Sequence, residues 1–156
     1  MAQSIDGRMT RFELQHFLIR VYIGLDFIHH FAEKWGLLGS QPYDADVAYF
    51  KNVMPGDPHT WVFIASLCEF GAFVGFTFGL FTRFAGLGTA LYLLIASIAG
   101  GHFQNGFTWL NPGGGWEYPL MWTFLCASFA LTGGGKLSAD AWLARKLPAL
   151  PKWLVG

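Results

Sequence analysis

The chain has 156 residues, 53% hydrophobic, 18% aromatic and only 13% charged, with ten Lys and Arg against ten Asp and Glu. That is one domain's worth of chain, and its aromatic content and balanced charge exclude a disordered protein and a nucleic-acid binder. The charges are unevenly spread: none falls between Arg83 and Glu117, none from Tyr118 to Gly135, and Glu69 stands alone between His59 and Thr82, a pattern that predicts membrane spans.

Four spans are predicted, at about 12–31, 61–81, 84–99 and 118–131. Each is close to the length needed to cross ~30 Å of hydrocarbon, the last two with help from flanking residues. The fold expected is an all-α, four-helix transmembrane bundle, up-down-up-down, over residues 1–135. The first span carries Arg20 and Asp26 instead of a clean apolar centre, so it reads as a retained span and not as a cleavable signal. Gly133, Gly134 and Gly135 end the fourth span, and Ser138 can cap a short amphipathic segment from Asp140 to Leu147. With Trp142 and Trp153 as anchors, residues 136–156 read as a surface tail lying along the membrane.

Orientation follows from the basic residues. Arg8, Arg11, Arg83, Lys136, Arg145, Lys146 and Lys152 fall on one side, and only Lys34 and Lys51 on the other. The positive-inside rule predicts cytoplasmic termini in a cell membrane, with the long loops outside. Cys68 and Cys126 each sit in an apolar run, outside any CxxC pair, so neither a disulfide nor a structural zinc site is expected.

Arg20, Asp26 and Glu69 are the charges at membrane depth. An isolated charge there costs at least ~2.5–3.5 kcal/mol, so these groups are expected to pair, become neutral or meet water. Their two readings are a buried ion pair that locks the bundle and a proton or ligand site. His29, His30 and Glu33 extend the polar patch. Asp26 and His30 are four apart and His30 and Glu33 three apart, which places them along one helical side. No second cluster supplies metal ligands beyond the remote His102, so no metal is expected.

Gly71, Gly75 and Gly79 recur every four residues, with Gly86, Thr89 and Ala90 following, as in close-packed membrane helices. In the loop GGHFQNGFTWLNPGGGWEY, His102, Trp109, Trp116 and Tyr118 supply rings and polar groups. That set suits either an aromatic belt or the flat ring and two carbonyl oxygens of a quinone.

The residues also resemble a known family. Arg20, Gly24, Phe27, His30 and Lys34 follow an R-x3-G-x2-F-x2-H-x3-K pattern, Glu69 and Gly71 precede the run Gly79-Leu-Phe-Thr-Arg83, and His102, Gly106, Gly114, Glu117, Tyr118 and Pro119 form a third block. The stretch from Gly133 to Asp140 resembles a G-x-G-x-x-S-x-D ending. Together these resemble the DoxX family over about residues 17–140, with a longer first outer loop, 36–60. The resemblance implies a small four-helix protein of a bacterial or archaeal cytoplasmic membrane, related to a thiosulfate:quinone oxidoreductase subunit. The expected activity is a quinone-linked redox subunit, with Glu69 and Asp26 relaying protons, Arg20 holding their charge, and His30 or His102 bonding the quinone. No haem, flavin or iron-sulfur motif is visible, so electrons would come from a partner protein or a small reductant. The alternative is a non-catalytic accessory subunit docked on a larger membrane complex. A transporter fits less well, because four helices without repeats leave little room for alternating access.

Overall fold

The computed structural model describes residues 9–155, in which seven helices and no strand are found. Helix α1 (Arg11–Lys34) opens on a reciprocal cap: Thr10 Oγ1 accepts from the Glu13 amide at 3.2 Å and Glu13 Oε2 from the Thr10 amide at 2.7 Å. These bonds satisfy two of the donors that every helix start leaves orphaned. Helix α3 (Pro58–Phe78) starts on Asp57 with Pro58 at its first position, where a missing N–H costs nothing. Then follow α4 (Thr82–Ala99), α5 (Glu117–Thr132), α6 (Ala139–Lys146) and the short α7 (Lys152–Val155).

The four long helices match the four predicted spans to within a few residues. Both α3 and α4 are long and apolar enough to cross a membrane. Helix α1 is longer but carries Arg20, Asp26, Glu33 and Lys34, and α5 has sixteen residues. The surface is apolar: Phe12 is 82% exposed, Leu131 80% and Phe124 70%, as expected where lipid, not water, covers a helix.

Helix α1 lies antiparallel to α3, and α4 to α5, while α3 and α4 join the two pairs through a tight turn. Small residues set the spacing. A Cβ on Gly24 of α1 would lie 2.4 Å from the Thr77 amide nitrogen, and one on Gly86 of α4 would lie 2.7 Å from that of Ala130, so both helix pairs pack backbone against backbone. Helices α1 and α5 meet instead through large rings, as in the stacked pair Tyr22–Trp122 and the tilted pair His16–Phe129. Between the pairs lie Ile23, Phe27, Phe76, Trp122, Cys126 and Phe129, all buried.

The expected glycine stripe is only partly a packing device. Gly75 fits against Ala85 and Gly79 ends α3, but a Cβ on Gly71 would meet nothing within 4 Å. Residues 36–60, read as a loop, contain helix α2 (Ser40–Val53). None of its residues is buried, so its weak amphipathic pattern lacked the continuous apolar stripe that signals a helix. Of the basic residues used for orientation, Arg8 lies outside the described residues.

Candidate functional site

The family-like residues gather at the two ends of the bundle. At the turn end, where α3 passes into α4, Gly79 takes a left-handed conformation (φ 65°) that ends α3, and the Gly79 and Leu80 amides donate back to the Gly75 carbonyl. Phe81 is also left-handed, at φ 47°, a strained position for a residue with a side chain. Asp140 holds it there. Its carboxylate is 2% exposed and accepts from the Phe81 amide at 2.6 Å and the Thr82 amide at 2.9 Å, so α4 is capped by a side chain from α6.

Arg20 serves the same end. It donates to the carbonyls of Phe76 and Thr77 (3.1 Å), acceptors that the end of α3 leaves open, and to that of Leu137 (2.6 Å) just before α6. Arg83 does so for α5, donating to Ala130 O at 2.9 Å and Leu131 O at 2.5 Å. A Cβ on Gly79 would lie 2.7 Å from an Arg20 nitrogen and 2.5 Å from the Ser138 side chain. The expected pairing of Arg20 with Asp26 and Glu69 is therefore corrected. Arg20 points down toward carbonyls one turn below it, while Asp26 and Glu69 lie further along antiparallel helices toward the opposite end.

That opposite end carries α2 and the loop 100–116. Glu69, 4% exposed, accepts from Tyr92 Oη at 2.6 Å and pairs with Lys34 Nζ at 3.2 Å, both through Oε1. Its second oxygen, Oε2, is buried with no partner. Lys34 also reaches Asp46 on α2 at 3.8 Å. Burial raises the Asp46 carboxyl above its ordinary value, more than the neighbouring Lys34 ammonium lowers it. His30 lies 3.9 Å from Asp26, while Glu33 pairs with His29 at 2.7 Å and not with His30. At four residues apart the 29–33 pair points the same way, and at three apart the 30–33 pair does so less well.

A cavity of about 250 Å3 opens here, and six of the expected site residues line it: Asp26, His30, Glu69, His102, Trp109 and Tyr118. Arg20 and Trp116 do not. Trp116 packs instead against Phe103 and Phe107 in the loop. His102 donates from Nδ1 to the Gly114 carbonyl at 2.9 Å, because a carbonyl only accepts, so in the neutral ring Nε2 is an acceptor.

Three participants were not singled out from the sequence. Trp122 lines the cavity and its Nε1 is buried without a partner. Tyr92 and Lys34 hold Glu69. Trp122 and Tyr92 sit inside apolar runs, where nothing distinguishes them from core or belt rings. Lys34 stood in the family-like pattern, and as one of two lysines on its side it carried a usable signal. No cluster of His, Cys, Asp or Glu suited to a metal is found among the described residues, and both cysteines are unpaired.

A helical protein with a hydrogen-bonded lock at one end of its bundle and a polar, partly unsatisfied hollow at the other is the class these features define. The DoxX family profile matches residues 16–102, more than half of the chain, and the chain belongs to the DoxX family of membrane proteins. The match holds Arg20, Gly24, His30, Lys34, Glu69 and the turn at Gly79–Arg83, ends at His102, the first residue of the third block, and does not reach the rest of that block or the stretch 133–140. No curated protein and no solved structure matches the chain.

Proposed function

We propose that this is a quinone-interacting membrane subunit whose ligand site is the hollow at the α2 end. Two buried polar atoms without partners, Glu69 Oε2 and Trp122 Nε1, on the walls of one cavity, carry the reading. A buried polar group left unpaired costs about 1–3 kcal/mol, so two of them on residues that line one cavity support a ligand that bonds to both after a small side-chain adjustment. The residues fit a quinone ring: Trp122 Nε1 would donate to one carbonyl oxygen, Glu69 would exchange a proton at the other, and Trp109 and Tyr118 would flank its faces. A quinone supplies two-electron, two-proton chemistry, with the electrons coming from a partner protein or a small sulfur-containing reductant. Glu69 is held by Tyr92 and Lys34, while Asp26 and His30 stand partly exposed on the same cavity, which supports a short proton route from the surface to the buried carboxyl.

In this reading α1, α3, α4 and α5 all span the cytoplasmic membrane. The turn end, with Arg83, Lys136, Arg145, Lys146 and Lys152, faces the cytoplasm, and the hollow opens outward.

The test is extraction of the full-length protein into nanodiscs from its native membrane, followed by mass spectrometry of what stays bound. Retained quinone, reduced about tenfold or more by Glu69→Gln and by Trp122→Phe in variants that melt like the wild type, is expected. A fixed set of protein partners with no quinone would overturn the reading in favour of the accessory subunit.

A further inference from the structure

A second cavity, of about 400 Å3, lies beside the polar one between α2, α3 and α4. Tyr49, Tyr92 and Ala96 line both. The polar lining of the larger cavity includes Lys34, whose ammonium pairs with Glu69 on the smaller cavity, and Asp46, which pairs with Lys34, while Cys68 precedes Glu69 in the chain. The rest of the wall is apolar, built from Val53 and Met54 under α2, Trp61 and Ile64 on α3, and Leu91 and Ile95 on α4. Ile64, Leu91 and Ile95 are also 42%, 51% and 58% exposed, so the cavity opens sideways onto the apolar surface of the bundle.

Such a space suits neither water nor emptiness. Water needs two to four polar partners, which the walls provide only at the Lys34 and Asp46 end, and a void along the apolar remainder would forfeit the contacts of the side chains around it. It has one polar end, one apolar body and one lateral opening at the surface that lipid would cover. We infer that this cavity binds a single long hydrocarbon chain, entering from the bilayer between α3 and α4, whose polar head passes Tyr49 and Tyr92 into the hollow beside Glu69. The two cavities are one site for a chain-bearing amphiphile, with α2 as its roof. That the head is a quinone rests on the reading above; that the chain sits here does not.

Gly88 supplies the test. It lies on the cavity wall, and a Cβ there meets nothing within 4 Å, so Gly88→Ala is accommodated and Gly88→Leu, used where it melts like the wild type, adds bulk at that wall. Binding is measured with the full-length protein in nanodiscs, by quenching of tryptophan fluorescence, corrected for partition into lipid. The probes are a dimethoxy-methyl-benzoquinone without a chain and the same ring with a ten-carbon chain. The wild type is expected to bind the chain-bearing ring at least tenfold more tightly. Gly88→Leu is expected to lose that factor while binding the bare ring unchanged, and Gly88→Ala to behave as the wild type. An equal chain advantage in wild type and Gly88→Leu overturns the inference. If neither ring binds, the quinone reading falls, and native mass spectrometry of the same samples decides the chain site. One long-chain molecule retained by the wild type and lost from Gly88→Leu upholds it; none retained by the wild type overturns it.

Discussion

The two ends of this bundle use similar side chains to opposite effect. At the turn end, Arg20 and Asp140 are almost completely buried and spend their hydrogen bonds on backbone: three carbonyls for Arg20, two amides for Asp140. At the other end, Glu69 is buried to a similar degree but one of its oxygens is unbonded, Trp122 Nε1 is unbonded, and a cavity lies between elements. Arg20 keeps its Nε unbonded as well, but its two terminal nitrogens are taken up by three carbonyls and no cavity adjoins them in the way one adjoins Glu69. A buried charge bonded to helix termini holds a structure together, and one half-bonded beside a hollow keeps capacity for something else. Burial and charge alone did not distinguish Arg20 from Glu69. The difference lies in where their hydrogen bonds go.

That contrast breaks most easily at the turn end. Arg20→Ala leaves the Phe76, Thr77 and Leu137 carbonyls without their donor inside the protein, a loss on the order of 3–5 kcal/mol. A fall in the melting temperature of the detergent-solubilised protein, equally large when Asp26 and Glu69 are both replaced by their amides, is expected. A loss that disappears in that background would restore the ion-pair reading.

Asp46 sharpens the other side. Burial raises its folded carboxyl value, so its charged form is penalised in the folded state at neutral pH and the penalty is relieved as pH falls through the raised value. Asp46→Asn is therefore expected to tighten α2 at pH 7 and to make no difference once the wild-type carboxyl is protonated. Hydrogen exchange of the α2 amides at the two pH values checks both the sign and the loss of the effect. Greater protection of wild-type α2 at neutral pH would contradict it.

Smallest of all is Gly71→Ala. Because its Cβ position is open, the substitution is expected to leave the melting temperature unchanged or raise it slightly, by up to about 1 kcal/mol of helix propensity. Gly24→Ala, one turn above Arg20 and against Thr77, is expected to be clearly destabilising. Equal effects at the two glycines would mean that the stripe, and not the observed contact, governs packing.

Much of this was legible in the chain. Charge-poor runs placed α3, α4 and α5 and an apolar stretch interrupted by Arg20 and Asp26 placed α1, Ser138 was readable as a cap and does accept from the Ala141 amide at 3.0 Å, and six of the eight expected site residues line one cavity. Helix α2 was not legible, since a helix lying on other helices without burying a residue leaves little trace in hydropathy. Nor was the role of Trp122, because a ring in an apolar run gives no sign of whether its N–H is bonded.

The main helices, α2 excepted, and the all-helical class follow from local properties of the chain. Hydrophobic length is a local property, and so are a cap, a helix-ending glycine and the positions at which a charge interrupts an apolar run. Which charge meets which group depends on how the helices pack. Arg20 is six residues from Asp26 in the chain, yet it bonds residues 56, 57 and 117 positions away, because two antiparallel helices bring the last turn of α3 beside the middle of α1. Glu69 meets Lys34 and Tyr92 for the same reason. Partner choice depends on the register between helices, which is set by contacts such as Gly24 on Thr77 and Gly86 on Ala130 and not by any single segment.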